Sequence, residues 1–414
     1  MRLFQLELKR LFHTKSFFFL WLIALILSAL FAWLPTTYAY SQYVDETGKE
    51  VTLRGLASLE YEKKQQKAVE GPVLIEKVKQ AVLAYQDCLK KYGVSQSYDL
   101  PEGVYEQEIM PISPLLHGVK ELFAHPQTGM APSLLEIDAE RLDFYYSLCE
   151  NRVATILEME LPHQSQAKNQ ALALYEQVKK PFELQPGMNS SVLDYQNLLG
   201  FLLLLFCIAF IAPTFSLNYQ IKADGVFRAT KYGKKSLAIV KIGAAFLVCS
   251  FLFLSCMALY LVLVNFFFGW QSTQTSIQMV YSIATLADLN ILELQIVLTS
   301  CSLLALLACL GMTLFLSATC KNTLVCLVLS LLLALAPTII SMTLPEELSL
   351  WCCTFLPASI TSIQASLLYA ITDFHFLAFN GFVLWSPFGM VITCLLEIPL
   401  FIFFTIYSYC HHQG

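Results

Sequence analysis

Few side chains in this 414-residue chain have the types and spacing to do chemistry, and the first to test is Gly233-Lys234-Lys235-Ser236. A glycine turn followed by Lys and Ser or Thr can cradle phosphates through its backbone amides. The spacing fails here. A phosphate loop needs Gly five positions before Gly233, where Arg228 stands; the Ser falls one residue late, and no strand precedes it. His411-His412 sets two imidazoles side by side without a companion carboxylate or thiolate, so it reads as a tail and not a metal site. No His-Glu-x-x-His pair and no Gly-x-Ser-x-Gly occurs. The chain is therefore expected to be no enzyme, with no catalytic, cofactor-binding or metal-binding residues of its own. Two features remain. Glu397 is the one acid well inside a long apolar run, with Pro399 two residues on. A carboxylate at mid-bilayer costs about 2.5–3.5 kcal/mol on insertion scales, so it must face a bundle interior or cavity, or be protonated. It either lines a pathway or a contact between copies, or hydrogen-bonds the carbonyl that Pro399 frees. The second feature is 218–241, where Lys222, Arg228, Lys231, Lys234, Lys235 and Lys241 stand against Asp224.

The elements that must hold these residues are membrane spans. With 56% hydrophobic and 14% charged residues, the composition excludes an ordinary soluble protein. A bilayer core about 30 Å thick takes about 20 apolar residues in a helix. Six runs reach that length: 16–35, 195–217, 242–268, 294–316, 324–344 and 387–409. Pro337 and Pro399 fall inside the last two, where proline commonly marks a kink or interruption. The first run has the basic flank of a cleavable signal peptide, but it is long for one and no small-x-small site follows, so a retained span is expected.

Cations fix the direction of the spans, because they cross a membrane poorly. Arg2, Lys9, Arg10 and Lys15 precede the first span, 218–241 is strongly basic, and Lys321 is the single cation after position 241. The opposite loops hold Asp288, Glu293, Glu346, Glu347 and Asp373 without Lys or Arg. Segments 1–15 and 410–414, with loop 218–241, are thus expected on the cytoplasmic side of a cytoplasmic membrane, and 36–194 outside. That outer segment, a polar insertion with 15 cations and 23 acids across 38–194, should be mainly helical. Ile75, Val78, Val82, Tyr85, Leu89 and Tyr92 repeat every 3.5 residues, the seam of helices packed side by side. Leu142, Tyr145, Cys149, Val153 and Ile156 form a similar stripe, 171–178 a weaker one, and Pro101, Pro111, Pro114, Pro126 and Pro132 break the middle. The reading is a helical hairpin or small bundle whose acids keep it solvated, with attraction of a cationic peptide or drug as the alternative. Of thirteen cysteines only Cys88 and Cys149 lie away from apolar stretches, so no disulfide framework is expected, and a bridge between those two has no support.

The order Asp224-Gly225, Thr230, Tyr232-Gly233-Lys234-Lys235 and Lys241 resembles the loop between the second and third spans in permease subunits of ATP-binding-cassette transporters, type-2 exporter class. Residues 3–12 are similar to that family's basic amphipathic segment before the first span, and 317–323 to its tight turn between spans four and five. The insertion matches only a habit of some members, and Ile221 stands where many carry Glu. The resemblance implies an all-α, six-span permease whose loop contacts a separate ATPase through Asp224, Gly225, Thr230, Gly233, Lys234 and Lys241. ATP and Mg would sit on that partner. A second copy or a related permease would complete an export path for a peptide, antibiotic or other amphipathic cargo. It also implies re-entrant or interfacial helices in 345–386, where Trp351, Tyr369 and Trp385 suit the headgroup level. A seventh span at 355–371 is an alternative count. The competing function is a membrane-anchored sensor or assembly scaffold whose outer domain binds a ligand without transport. Nothing marks a nucleic-acid partner.

Overall fold

A computed structural model describes residues 2–44, 49–230, 233–379 and 381–411; Lys231, Tyr232 and His412 lie outside them. The chain is mostly helical. Among the described residues six helices are long and apolar enough to cross a membrane, and each covers one of the expected runs, Thr323–Thr343 all but the last residue of its run. Ahead of them α1 (Arg2–Phe12) is amphipathic and ends in Lys9 and Arg10. The six are α2 (Lys15–Trp33), then α8 (Ser190–Ile211) continued by α9 (Pro213–Gln220), α11 (Lys235–Phe268), α12 (Ile291–Thr319), α13 (Thr323–Thr343) and α16 (Ser386–His411). Between α9 and α11 lies the short α10 (Asp224–Ala229). Inside the protein are buried 67% of the α12 window, 56% of α8–α9 and 44% of α11, against 28% of α2 and 22% each of α13 and α16, so α8, α11 and α12 form the centre.

Local chemistry sets the ends. Asn290 accepts from the Glu293 amide at 2.9 Å while the Glu293 carboxylate accepts from the Asn290 amide at 2.9 Å, a reciprocal cap that starts α12. The expected tight turn after it is three residues, closed where Asn322 accepts from the Leu324 amide at 2.8 Å and starts α13. The expected interruptions at Pro337 and Pro399 do not occur, and both helices run through them. Each helix lacks the one ladder bond that its proline cannot donate, a loss that membrane helices tolerate.

The insertion between α2 and α8 is mainly helical, as its stripes require. It comprises α3 (Leu56–Gln65), α4 (Ile75–Tyr92), α5 (Ser113–Leu122), α6 (Tyr145–Glu160) and α7 (Ser165–Tyr175). Two small antiparallel pairs were not foreseen: β1 (Tyr40–Val44) with β2 (Glu50–Arg54), and β3 (Gly71–Pro72) with β4 (Glu183–Leu184). Val78, Val82, Tyr85 and Leu89 of α4 are buried, and so are Tyr145, Cys149 and Val153 of α6. The fourth buried α6 residue is Leu157, not Ile156: the buried positions advance by four each time, so the buried line drifts slowly around the helix instead of alternating three and four. The irregular middle is fastened by the Gln86 amide, which donates to the Leu134 and Ile137 carbonyls at 2.8 Å each. Cys88 and Cys149 are separate buried thiols, pushed up to about 11 and about 12 by burial.

The connection between α11 and α12 forms the floor of the insertion. Glu121 on α5 accepts from the Ser282 hydroxyl and, at 3.0 Å, from the Ile283 amide. Tyr175 donates to the Ile283 carbonyl at 2.8 Å, and the Glu183 and Ser276 backbones are joined by a 2.9 Å bond. Segment 345–386 folds as α14 (Glu346–Thr354), a 3-10 turn at Pro357–Thr361, α15 (Leu367–Thr372) and the hairpin of β5 (Phe376–Phe379) and β6 (Phe382–Trp385). No continuous helix spans 355–371, so the seventh span is absent, and Trp385 is buried instead of facing outward.

Candidate functional site

The basic loop is assembled from three long helices. α8 stops at Ile211 and α9 restarts at Pro213, whose nitrogen carries no proton for the helical ladder. Ser317 of α12 fills that gap: its hydroxyl donates to the Ala212 carbonyl at 2.7 Å and accepts from the Phe215 and Ser216 amides at 3.0 and 3.1 Å. Tyr219 donates to the Ala318 carbonyl at 3.2 Å, which ties α9 to the end of α12. The chain then leaves α9 through Lys222 in the left-handed region, φ 56°, and enters α10 with Asp224 at the helix N-terminus, where a carboxylate is favoured.

Lys241 is the hub. Only 5% exposed, it lies one turn and a half inside α11, donates to the Thr214 carbonyl at 3.0 Å and places its ammonium 5.2 Å from the Phe215 ring and 5.9 Å from the Phe227 ring. One side chain thus joins α9, α10 and α11. Thr230 closes α10 by donating to the Phe227 carbonyl at 2.7 Å, and the Gly233 amide donates to the Thr230 carbonyl at 3.0 Å. Gly233 is obligatory, because a Cβ there would overlap the Phe227 backbone carbonyl. Its own carbonyl accepts from Tyr409 of α16 at 3.2 Å, and the Tyr409 ring stands 5.0 Å from Phe215. α1 lies alongside, with Phe4 against Gly243 and Phe12 5.7 Å from Phe251.

The six loop residues singled out by order thus divide. Thr230, Gly233 and Lys241 fasten the loop, whereas Gly225 and Lys234 are exposed and Asp224 is half-buried. Nothing lies within 4 Å of a Cβ built on Gly225, so packing does not require glycine there. Beside them Ile221 and Val226 are 63% and 72% exposed. Thr214, Phe215, Tyr219, Ser317 and Tyr409 were not legible as members, since each sits in an apolar run where hydroxyls and rings are common.

Glu397 stands apart from the loop, in the middle of α16. Its Oε2 is sealed and has no hydrogen-bond partner among the described residues. Of the two roles open to it, the bond to the carbonyl freed by Pro399 is not made: that carbonyl belongs to Leu395, about 200° away around the helix.

At the other end of the bundle two adjoining cavities share Glu346, Leu350 and His375. One, of 270 Å³, reaches Leu344, Tyr369 and Met390; the other, of 600 Å³, lies between Glu160 and Gln164 of the insertion and Asp373. Burial raises the Asp373 carboxyl above its usual range, with His375 opposing and Glu346 reinforcing. No set of three His, Cys, Asp or Glu side chains converges as a metal site among the described residues. No protein-family model matches the chain, and a search of curated proteins returns no match.

Proposed function

We propose that the chain is the membrane-spanning subunit of an ATP-driven exporter of the type-2 ATP-binding-cassette class, which moves a peptide, antibiotic or other amphipathic cargo across a cytoplasmic membrane. A separate ATPase supplies hydrolysis, and its ATP and Mg stay on that subunit. The observation that supports this reading is the construction of the basic loop. α10 offers exposed Val226 and Gly225 at its surface, while Lys241 and Tyr409 join its base to α9, α11 and α16. A partner that grips α10 would therefore displace several long helices together, which is what a motor needs from its handle. On this reading Asp224, Gly225 and Lys234 touch the ATPase, and Thr230, Gly233 and Lys241 transmit the push. The insertion stands outside, both ends of the chain are cytoplasmic, and a second copy or related permease completes the path.

Co-purification decides it. The chain should bring down an ATP-binding-cassette subunit and raise its nucleotide hydrolysis, and Val226→Asp with Lys234→Glu should abolish both without altering the melting temperature. A sensor or scaffold would not stimulate hydrolysis. Impermeant labels reaching position 234 from outside the cell, or cargo flux through vesicles holding this chain alone, would refute the proposal.

A further inference from the structure

Glu397 plays no part in the loop described above, and its surroundings are unusual for a carboxylate. α16 is seated closely on α12: a Cβ built on Gly311 would lie 3.1 Å from that of Phe401, and the Phe315 ring stands 5.8 Å from Phe404. One turn before Glu397, Cys394 is 1% exposed with its thiol toward the Pro357 carbonyl at 3.7 Å. Cys309 of α12, fully buried, and Cys394 are the titratable groups near the carboxyl. Among the described residues no charge faces it from the elements packed on α16. α11 has its lysines, Lys235 and Lys241, at its first turns, and α12 has only Glu293, in its first turn. α14 has Glu346 and Glu347 in its first turn, and α15, β6 and the 357–361 turn carry no charge. Lys321, the single cation after Lys241, follows the end of α12.

Glu397 is half-buried, and its Oε2 is covered without counter-ion or donor; a carboxylate held that way is disfavoured in its charged form, and a covered polar oxygen with no partner is costly unless the surroundings can change. We propose that Glu397 is a proton-binding site: it keeps a proton while α16 is seated on α12 and releases it to water when the two helices part at this level. The step is a simple transfer, in which the carboxyl O–H breaks, a water molecule becomes hydronium and the carboxylate is left solvated. Because the proton binds one arrangement only, acid favours the seated form and its removal favours the parted one. The site does not depend on the ATPase reading, and its test needs only the purified chain.

Dicyclohexylcarbodiimide adds to protonated carboxyls in apolar surroundings. Applied at neutral pH to the full chain in phospholipid vesicles, with adducts mapped by peptide mass spectrometry, it should modify Glu397 and spare the exposed Glu346 and Glu347. Absence of the Glu397 adduct from folded protein overturns the proposal, and this arm uses no variant. The second arm follows maleimide labelling of Cys309 and Cys394, normalised to the exposed Cys352 to remove the reagent's own pH dependence. In the wild type the ratio should rise with pH, by up to roughly tenfold per pH unit for one proton released. In Glu397→Gln, which keeps the shape but not the proton, it should stay flat. A flat wild-type ratio overturns the coupling to helix movement.

Discussion

The two ends of α11 are fastened by different chemistry. At the loop end the fasteners are a buried lysine, a phenol and a hydroxyl that donate to backbone carbonyls of helices that already lie together: Lys241 on Thr214, Tyr409 on Gly233, Ser317 on Ala212. At the far end they are carboxylates, a lysine and strand-like backbone bonds that attach a separate polar domain. Lys63 of α3 donates to the Phe268 carbonyl at 3.0 Å, directly above Gly269, whose φ of +89° turns the chain out of the helix. Beyond it Glu121, Tyr175, Glu183 and Gln185 hold the 269–290 connection. A helix of 34 residues is about 50 Å long, so a single rod carries both attachments. The loop end is built into the bundle, whereas the insertion is clamped to it by polar contacts. Along α11, displacement of the loop reaches the insertion through the polar clamp.

Glu121→Ala is the variant that should break this arrangement most. It removes a charged acceptor of two hydrogen bonds, leaving the Ile283 amide and Ser282 hydroxyl without it. Bonds to charged groups contribute about 1.5–3 kcal/mol each, so the clamp should lose about 3 kcal/mol. Hydrogen exchange at the Ile283 amide should then accelerate roughly hundredfold, with the amides of α10 unchanged. Unaltered exchange at Ile283 would show that other contacts hold the floor.

Gly233→Ala tests the opposite end. The added methyl meets the Phe227 backbone, not a side chain that can rotate away, so the turn must shift at a cost of about 2 kcal/mol. The expected signature is a lower melting temperature and faster exchange over 224–230, while Ile283 stays protected. If both ends loosen together, the two attachments are not independent and the contrast fails.

What could be read from sequence follows the same division. The six spans show in length and apolarity alone, and the α4 stripe shows because Val78, Val82, Tyr85 and Leu89 repeat on one face. Thr230, Gly233 and Lys241 were chosen by their order, and all three prove to be placed by contacts. The clamp was invisible for a physical reason: Glu183 meets Ser276 across 93 positions and Glu121 meets Ile283 across 162, so no local periodicity records either. Ser276, Ser282 and Asp288 taken alone look like any polar loop. Lys222 shows nothing in its residue type of its left-handed backbone, a conformation that glycine or asparagine usually takes.

The insertion has a second contact with the bundle, across the acidic cavity, and there pH should separate it from the clamp. Asp373 is raised above its ordinary value by burial. A carboxyl raised in the folded state contributes stability that is complete below its unfolded pKa and is lost as pH rises through the folded one. Melting temperatures taken from acid to neutral should therefore fall on this account in the wild type, and Asp373→Asn should flatten that slope. An identical slope in the variant would assign the pH dependence to other groups.

The smallest effect is expected where the clamp looks most electrostatic. Lys179 Nζ stands 3.5 Å from Asp288 Oδ2, but the lysine side chain is 85% exposed. An ion pair in that position is screened and has to order a long side chain, so it contributes at most about 1 kcal/mol. The same carboxylate also accepts from the Lys179 backbone amide at 3.1 Å, a bond that no change of the lysine side chain removes. Lys179→Ala should thus be nearly silent in exchange at 275–290 and insensitive to salt, whereas Asp288→Ala should open the segment measurably, because the backbone donor loses its acceptor. A double-mutant cycle gives the side-chain term directly. A coupling well above that limit would mean that the clamp is closed by charge, and the insertion would then loosen with ionic strength while the loop end of α11 would not.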